Sequence, residues 1–388
     1  MIFFRYEYQD PVSDAETEHE EVEWDEEEDQ EKHHLNFTKK GENRGLCLSD
    51  IHRKGFMLRY DPNEDAGYIS VFRQDSTDGL EETATVDYLK DMKGRKFKAK
   101  KAILHEGQKK LLLLNQDKCN SVTENQKVYV MDLEAQKVVQ EWDAGKKFDI
   151  TDVMGLKKGV DRSQEETFLG VSDRSLFLMD PRMGGGESGQ RATTYKYTNK
   201  LGFNTGATDA KGHIAVAGAL GDIRCYDGGV SASDANKFKR AKTHFRGLGH
   251  QIKHVDVTAD GNWILGTCEN YLVLMPTAMD GSKNAFEKAM PVGKRPTPIK
   301  LQLTVQDIAR YNLRPSEIKY AHAIFDSNEK GESTIATSMK NLAITWDFNK
   351  VKRGDLHAYK IKPLCSKVVD MSFVHNNNKQ VEETFLIS

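Results

Sequence analysis

Residues 166–180, ETFLGVSDRSLFLMD, and residues 213–227, HIAVAGALGDIRCYD, follow one plan. An apolar run containing a small residue is followed by a short turn, then by a second apolar run that ends in Asp. Two short strands joined this way make a β-hairpin. The second half of the plan recurs as GYISVFR (67–73), QKVYVMD (126–132), RSLFLMD (174–180), GDIRCYD (221–227), NYLVLMP (270–276) and NLAITWD (341–347). The last residues of these units are separated by 59, 48, 47, 49 and 71 positions. A period of about 40 to 50 residues is that of a four-stranded propeller blade.

The run before each of these units supplies another strand: ETFLGVS (166–172), HIAVAGA (213–219), WILGTC (263–268) and STIATS (333–338). Their small residues suit inner strands that crowd around an axis. Residues 126–142 read as an outer hairpin in which Val128, Val130 and Val138 alternate with polar neighbours. Turns at Asp209–Gly212, Asp260–Gly261 and Asn328–Gly331 place Gly where a positive backbone angle is needed. Helical signal is confined to LTVQDIARY (303–311), with Thr304 as cap and Val305, Ile308 and Ala309 spaced for one face. The expected fold is therefore an all-β propeller of seven blades, with six as the alternative. Residues 2–8 (IFFRYEY) close the terminal blade against the C-terminal strands, since a half-blade would leave open edges. The expected divisions are a closing strand in residues 1–13, an acidic arm in 14–44 and the propeller in 45–388, with an insertion at 278–319.

The chain has 388 residues, of which 38% are hydrophobic and 30% charged, and a mean hydropathy of −0.64. No apolar run is long enough to span a bilayer, and no secretory signal opens the sequence. Five scattered cysteines without a C-x-x-C pair argue against a disulfide framework or a zinc site, so no metal and no cofactor is expected. Residues 14–31 hold 12 acidic residues and no Lys or Arg, so the rest of the chain is formally +9 against the overall −3. Basic runs lie at 90–101 (KDMKGRKFKAKK) and 237–246 (KFKRAKTHFR). With no reading module around them they do not indicate specific nucleic-acid binding.

Chemistry-bearing patterns are few. Gly184–Gly189 spells G-x-G-x-x-G, yet a strand-like run follows it where a dinucleotide site needs a helix. His250 and His254 are four apart, about 13 Å along a strand, too far to share a metal. No nucleophile-elbow string occurs.

Residues 137–142 (KVVQEW), 166–182 (ETFLGVSDRSLFLMDPR), 207–227 (ATDAKGHIAVAGALGDIRCYD), 248–274 (LGHQIKHVDVTADGNWILGTCENYLVL) and 296–303 (PTPIKLQL) resemble the C-terminal propeller domain of the vacuolar import and degradation protein 27 family. The similarity runs from about residue 45 to 388. It implies a WD40-like propeller, cytoplasmic or nucleocytoplasmic, with no established enzymatic activity. It also implies a role in directing proteins to vacuolar degradation or, as in plant relatives, an association with the Ran GTPase. Family members carry a pleckstrin-like domain where residues 1–13 stand here, so no lipid role is carried over. Trp346–Asp347 gives the eponymous dipeptide, and Gly249–His250 precedes the Asp260–Gly261 turn as such blades require. His250, Asp260, Trp346 and Asp347 are accordingly expected to be structural.

The function expected is a non-catalytic scaffold or adaptor binding a protein partner, either a small GTPase or a degradation cargo. The alternatives are a subunit of a large assembly, whose acidic arm orders on a basic neighbour, and an enzyme using the axial mouth. The partner-binding residues expected are Lys96, Lys98, Lys100 and Lys101 in the first basic run, Lys237, Lys239, Arg240 and Lys242 in the second, and the 278–319 insertion.

Overall fold

A computed structural model of the chain describes residues 2–7, 38–49, 54–74, 80–106, 109–115, 127–143, 150–158, 167–179, 193–198, 201–228, 238–279, 283–326, 331–374 and 381–387. The acidic stretch, the G-x-G-x-x-G string, Cys119 and Lys237 lie outside them.

Strand β1 (Ile2–Glu7) opens the chain. The first sheet is β2 (Glu42–Ser49), β3 (Lys54–Asp61), β4 (Ala66–Gln74) and β5 (Leu80–Val86), and the second is β6 (Ala99–His105), β7 (Lys110–Asn115), β8 (Lys127–Asp132) and β9 (Lys137–Asp143). The third is β10 (Ile150–Gly155), β11 (Phe168–Ser172), β12 (Ser175–Met179) and β13 (Thr193–Lys196), and the fourth is β14 (Phe203–Thr208), β15 (Ile214–Gly218), β16 (Ile223–Tyr226) and β17 (Thr243–Phe245). The fifth is β18 (His254–Val257), β19 (Trp263–Thr267), β20 (Leu272–Pro276) and β21 (Ile299–Leu301), and the sixth is β22 (Ile324–Phe325), β23 (Thr334–Met339), β24 (Leu342–Asp347) and β25 (Tyr359–Pro363). Last come β26 (Asp370–Val374) and β27 (Val381–Ile387), which form a three-stranded terminal sheet in the order β1-β27-β26. Among the described residues the expected seven-or-six ring is thus six complete four-stranded blades and this terminal sheet, in which Ile2 pairs with Leu386 and Glu7 with Val381.

Within each blade successive strands are antiparallel neighbours. Neighbouring sheets meet through their first strands: β2 touches β6, β10 touches β14, β14 touches β18, β18 touches β22, and β26 touches β2. The first strands therefore line the axis. The apolar clusters lie between blades rather than in one centre. Leu112, Val128 and Trp142 of the second blade pack with Val153, Phe168 and Phe177 of the third, and Leu274 of the fifth packs with Trp346 of the sixth. Each such side chain taken out of water contributes about 1.5–3 kcal/mol, so each blade is held mainly by its two neighbours.

The repeating units of the sequence are the third strands, and the small-residue runs are the second strands, not the innermost ones. Both faces of a second strand are covered by adjacent blades, which leaves β11, β15 and β23 buried throughout. Strand β8 is also buried on both faces, Tyr129 and Met131 included, so the expected polar alternation is absent there. The 278–319 stretch contains β21, the outer strand of the fifth blade, and helix α1 (Val305–Arg310). Thr304 caps α1 by accepting from the Asp307 N–H at 3.2 Å, as its sequence indicates. Only Ile308 of the three expected apolar residues packs against the core. Val305 and Ala309 are exposed because a six-residue helix offers the core less than two turns.

Candidate functional site

The first basic run is largely engaged within the protein. Lys96 pairs with Glu64 at 2.6 Å and Lys98 with Asp65 at 2.7 Å, both across neighbouring loops. Lys100 makes one long contact, to the Thr151 carbonyl at 3.4 Å. Lys101 leaves β6 for the third blade, donating to Asp152 Oδ1 at 2.6 Å and to the Val153 carbonyl at 2.9 Å.

Lys101 belongs to a polar cluster along the axis that the sequence reading missed. The strings TDV (151–153), VDV (255–257) and VDM (369–371) place Asp152, Asp256 and Asp370 on first strands of alternate sheets. In each, one carboxylate oxygen accepts from the following N–H, at 2.8 Å in all three. The other oxygen accepts from an N–H of the next sheet: Gly206 at 3.2 Å, Phe325 at 2.9 Å and Leu46 at 2.7 Å. A basic side chain completes each site: Lys101 at Asp152, Lys158 at Asp256 (2.8 Å), and His322 at Asp370 (2.9 Å). Lys158, just after β10, passes the fourth blade to reach the fifth. Burial alone would raise Asp152 and Asp256, but the Lys101 and Lys158 ammonium groups and the donated hydrogen bonds hold both below the ordinary carboxylate range.

Two imidazoles stand beside each other in this cluster, His254 and His322, with ring centroids 4.9 Å apart. Burial, with the His322 and Lys101 charges, pushes His254 down to about 3. Burial also opposes charge on His322, yet Asp370 and the Met371 carbonyl raise it above its ordinary value. The side chains of His322 and Asp370 remain 28% and 17% exposed, as expected of groups lining a channel rather than a sealed core. His254 Nδ1 is buried with no hydrogen-bond partner among the described residues. What this arrangement does chemically is tie blades together: each of the three carboxylates accepts hydrogen bonds from its own strand and from the next sheet.

The second basic run lies at the opposite edge of the fourth blade. Lys239 and Arg240 are exposed and have no ion-pair partner among the described residues, while Lys242 is 3.5 Å from Asp227 at the surface. The β20–β21 connection folds against them. Met290 N–H donates to Thr243 Oγ1 at 3.0 Å, and that hydroxyl reaches the Lys288 carbonyl at 3.4 Å. The Lys288 backbone is thereby held against Thr243, the residue after Lys242, and a 3-10 turn, Val292–Lys294, adds Lys294 and exposed Val292. The result is a cationic ledge spanning the fourth and fifth blades.

The four residues expected to be structural have these surroundings. Trp346 is fully buried, its Nε1 donating to the Leu356 carbonyl at 3.3 Å. Asp347 caps helix α2 (Phe348–Lys352), accepting from the Lys350 N–H at 2.9 Å. Asp260 accepts from Thr258 Oγ1 at 2.6 Å and from the Asn262 N–H at 2.8 Å within its turn. His250, by contrast, is exposed, because it sits in the connection between blades, and its ring bonds Tyr271 Oη at 2.8 Å. The buried His–Asp pair of these blades is His213 with Asp209, at 2.6 Å. A cavity of about 600 Å³ opens between the first two blades, where Phe56 and Val86 face the Lys110–Glu106 ion pair. Among the described residues no group of three His, Cys, Asp or Glu is arranged to hold a metal ion, and no helix is long and apolar enough to cross a membrane.

Residues 41–383 match the model of the VID27 C-terminal WD40-like domain. The chain is 32% identical over 305 residues to the vacuolar import and degradation protein 27 of Schizosaccharomyces pombe, covering 76% of this chain and 36% of that protein. It is 30% identical over 326 residues to the protein of the same name from Saccharomyces cerevisiae, covering 81% and 39%. The chain thus spans under two-fifths of the length of these relatives. In fold it is similar to the β-propeller domain of Myceliophteria thermophila Cps50 (Swd1), with a TM-score of 0.56 at 11% identity over 91% of this chain and 99% of that one.

Proposed function

The chain belongs to the VID27 family, as its C-terminal WD40-like domain, and on that premise we propose that it is a non-catalytic adaptor that binds a protein partner through the cationic ledge of the fourth and fifth blades. The observation that carries this reading is that Lys239, Arg240 and Lys288 have no ion-pair partner among the described residues, whereas Lys96, Lys98 and Lys101 of the first basic run are paired with the protein's own carboxylates. An uncompensated basic surface steers and holds an acidic one. The non-catalytic part is supported by the axial carboxylates, each occupied by an inter-blade link rather than poised to exchange a proton.

The names of the relatives give the adaptor its setting: the partner is a protein directed to vacuolar import and degradation, met in the cytoplasm. A small GTPase shuttling to the nucleus is the other partner class, and the ledge charge suits it equally. Quantitative affinity purification with the intact chain and with a Lys239→Glu, Arg240→Glu, Lys288→Glu variant tests the reading. Loss of a defined partner set from the variant supports it and identifies which class is bound. An unchanged partner set overturns it.

A further inference from the structure

Strand β17 has the ledge at one end and a different surface at the other. Here the β15–β16 turn, residues 218–222, meets the connection from β17 to β18, residues 246–253. Ile252 N–H donates to the Gly218 carbonyl at 3.3 Å, and Ala219 N–H to that of Gly202 at 2.7 Å. The two backbones touch where Gly221 and Gly247 lie: a Cβ on Gly247 would stand 1.7 Å from the Gly221 carbonyl oxygen. Gly221 also has φ of 78°, a conformation open to glycine. These contacts fix both turns, and each presents a leucine to solvent beside its glycine. Leu220 is 76% exposed and Leu248 is 41% exposed.

The surroundings of the two leucines are cationic. Lys253 and Lys319 both reach Glu269, at 3.7 and 3.4 Å, so one carboxylate faces two ammonium groups. Lys300 lies over the Tyr271 ring at 4.7 Å, Tyr271 being the partner of His250, and Arg246 is exposed in the same connection. The nearby Asp222 is half-buried and engaged by His244 at 3.1 Å and Arg224 at 3.4 Å. Arg246 and Lys253 thus lie in the connection itself, Lys319 and Lys300 are linked to it through Glu269 and Tyr271, and one exposed carboxylate stands against the four basic side chains. Apolar side chains on a pre-organised backbone within a charged rim have the anatomy of a binding hot spot.

We infer that Leu220 and Leu248 form a docking site for an acidic peptide segment of a second protein that carries one bulky apolar side chain. The site rests on residues separate from the ledge and faces the other end of the blade, which gives the adaptor two separately addressable surfaces. The probe is a fluorescein-labelled peptide of Asp and Glu with a single central Trp, titrated into the full chain by fluorescence anisotropy. Saturable binding is expected, weakened about tenfold or more by Leu220→Ser with Leu248→Ser, and equally by replacing the peptide Trp with Ala. The variant Lys239→Glu, Arg240→Glu, Lys288→Glu is expected to bind the peptide as the wild type does, so failure of the ledge reading leaves this result intact. The leucines are exposed, so the double variant should unfold at the wild-type temperature by circular dichroism, which separates lost docking from lost fold. No binding, binding indifferent to the leucines, or binding abolished by the ledge variant would each overturn the inference.

Discussion

Lys100 and Lys101 are neighbours in one basic run, yet physical chemistry separates them. Lys100 sits at an irregularity in the β6–β7 pairing and makes a single long contact with a carbonyl. Lys101 neutralises Asp152, whose carboxylate is 9% exposed and also holds Thr205 Oγ1 at 2.8 Å. Removing the cation leaves a desolvated charge with too few donors. Lys101→Met is expected to lower stability by about 2 kcal/mol, whereas Lys100→Met should stay within about 0.5 kcal/mol. Urea unfolding of the two variants checks this, and equal midpoints would remove the axial link from the account. A sequence shows both residues as Lys in a cluster of like charge. What it does not show is which of them faces a carboxylate 51 positions later.

Strands supply the next level of control. The pairing of β6, β10 and β14 shifts register at the same place, one residue before Lys101, Asp152 and Thr205 respectively. Such a bulge re-aims the side chain that follows it, and these three meet across blade boundaries. Third strands were legible in the sequence because they are apolar, because three successive spacings fall at 47 to 49 residues, and because four of the six units end in Asp. First strands such as FNTGAT were not, since they are short, polar and selected for links between blades instead of burial. One of those links should be visible in the pH dependence of stability. His322 carries a raised proton affinity and faces Asp370, the Met371 carbonyl, Lys101 and His254. Its contribution is complete below its ordinary value of 6.5 and disappears as pH rises through the higher folded-state value. His254, pushed down to about 3, acts in the opposite sense: the unfolded chain takes up a proton below 6.5 that the folded one refuses. Stability from this pair therefore peaks near 6.5. Unfolding midpoints over about pH 5 to 8 should show His322→Gln flattening the alkaline side and His254→Gln the acid side. Parallel profiles for the wild type and both variants would show that the pair does not couple the blades to pH.

At the scale of the ring, no blade contains its own core, so the molecule is only as stable as its weakest boundary. Among the described residues six sheets have four strands, and the terminal sheet has three, one drawn from the start of the chain and two from the end. Its Asp370 also accepts the Leu46 N–H, tying β26 to the first strand of the first blade. Without β1 the terminal sheet would be a single hairpin, marginal by itself, and β27 would become an open edge able to pair with another chain. A chain lacking residues 1–7 should therefore melt at least about 5 °C lower by calorimetry. It should also form concentration-dependent oligomers on size exclusion. Adding a synthetic peptide of residues 1–10 should reverse both effects, because the peptide restores the six-position ladder from Ile2–Leu386 to Glu7–Val381. An unchanged melting temperature in the shortened chain would mean that the ring is closed by the Asp370–Leu46 link and the sheet-to-sheet apolar contacts alone, with β1 an accessory strand.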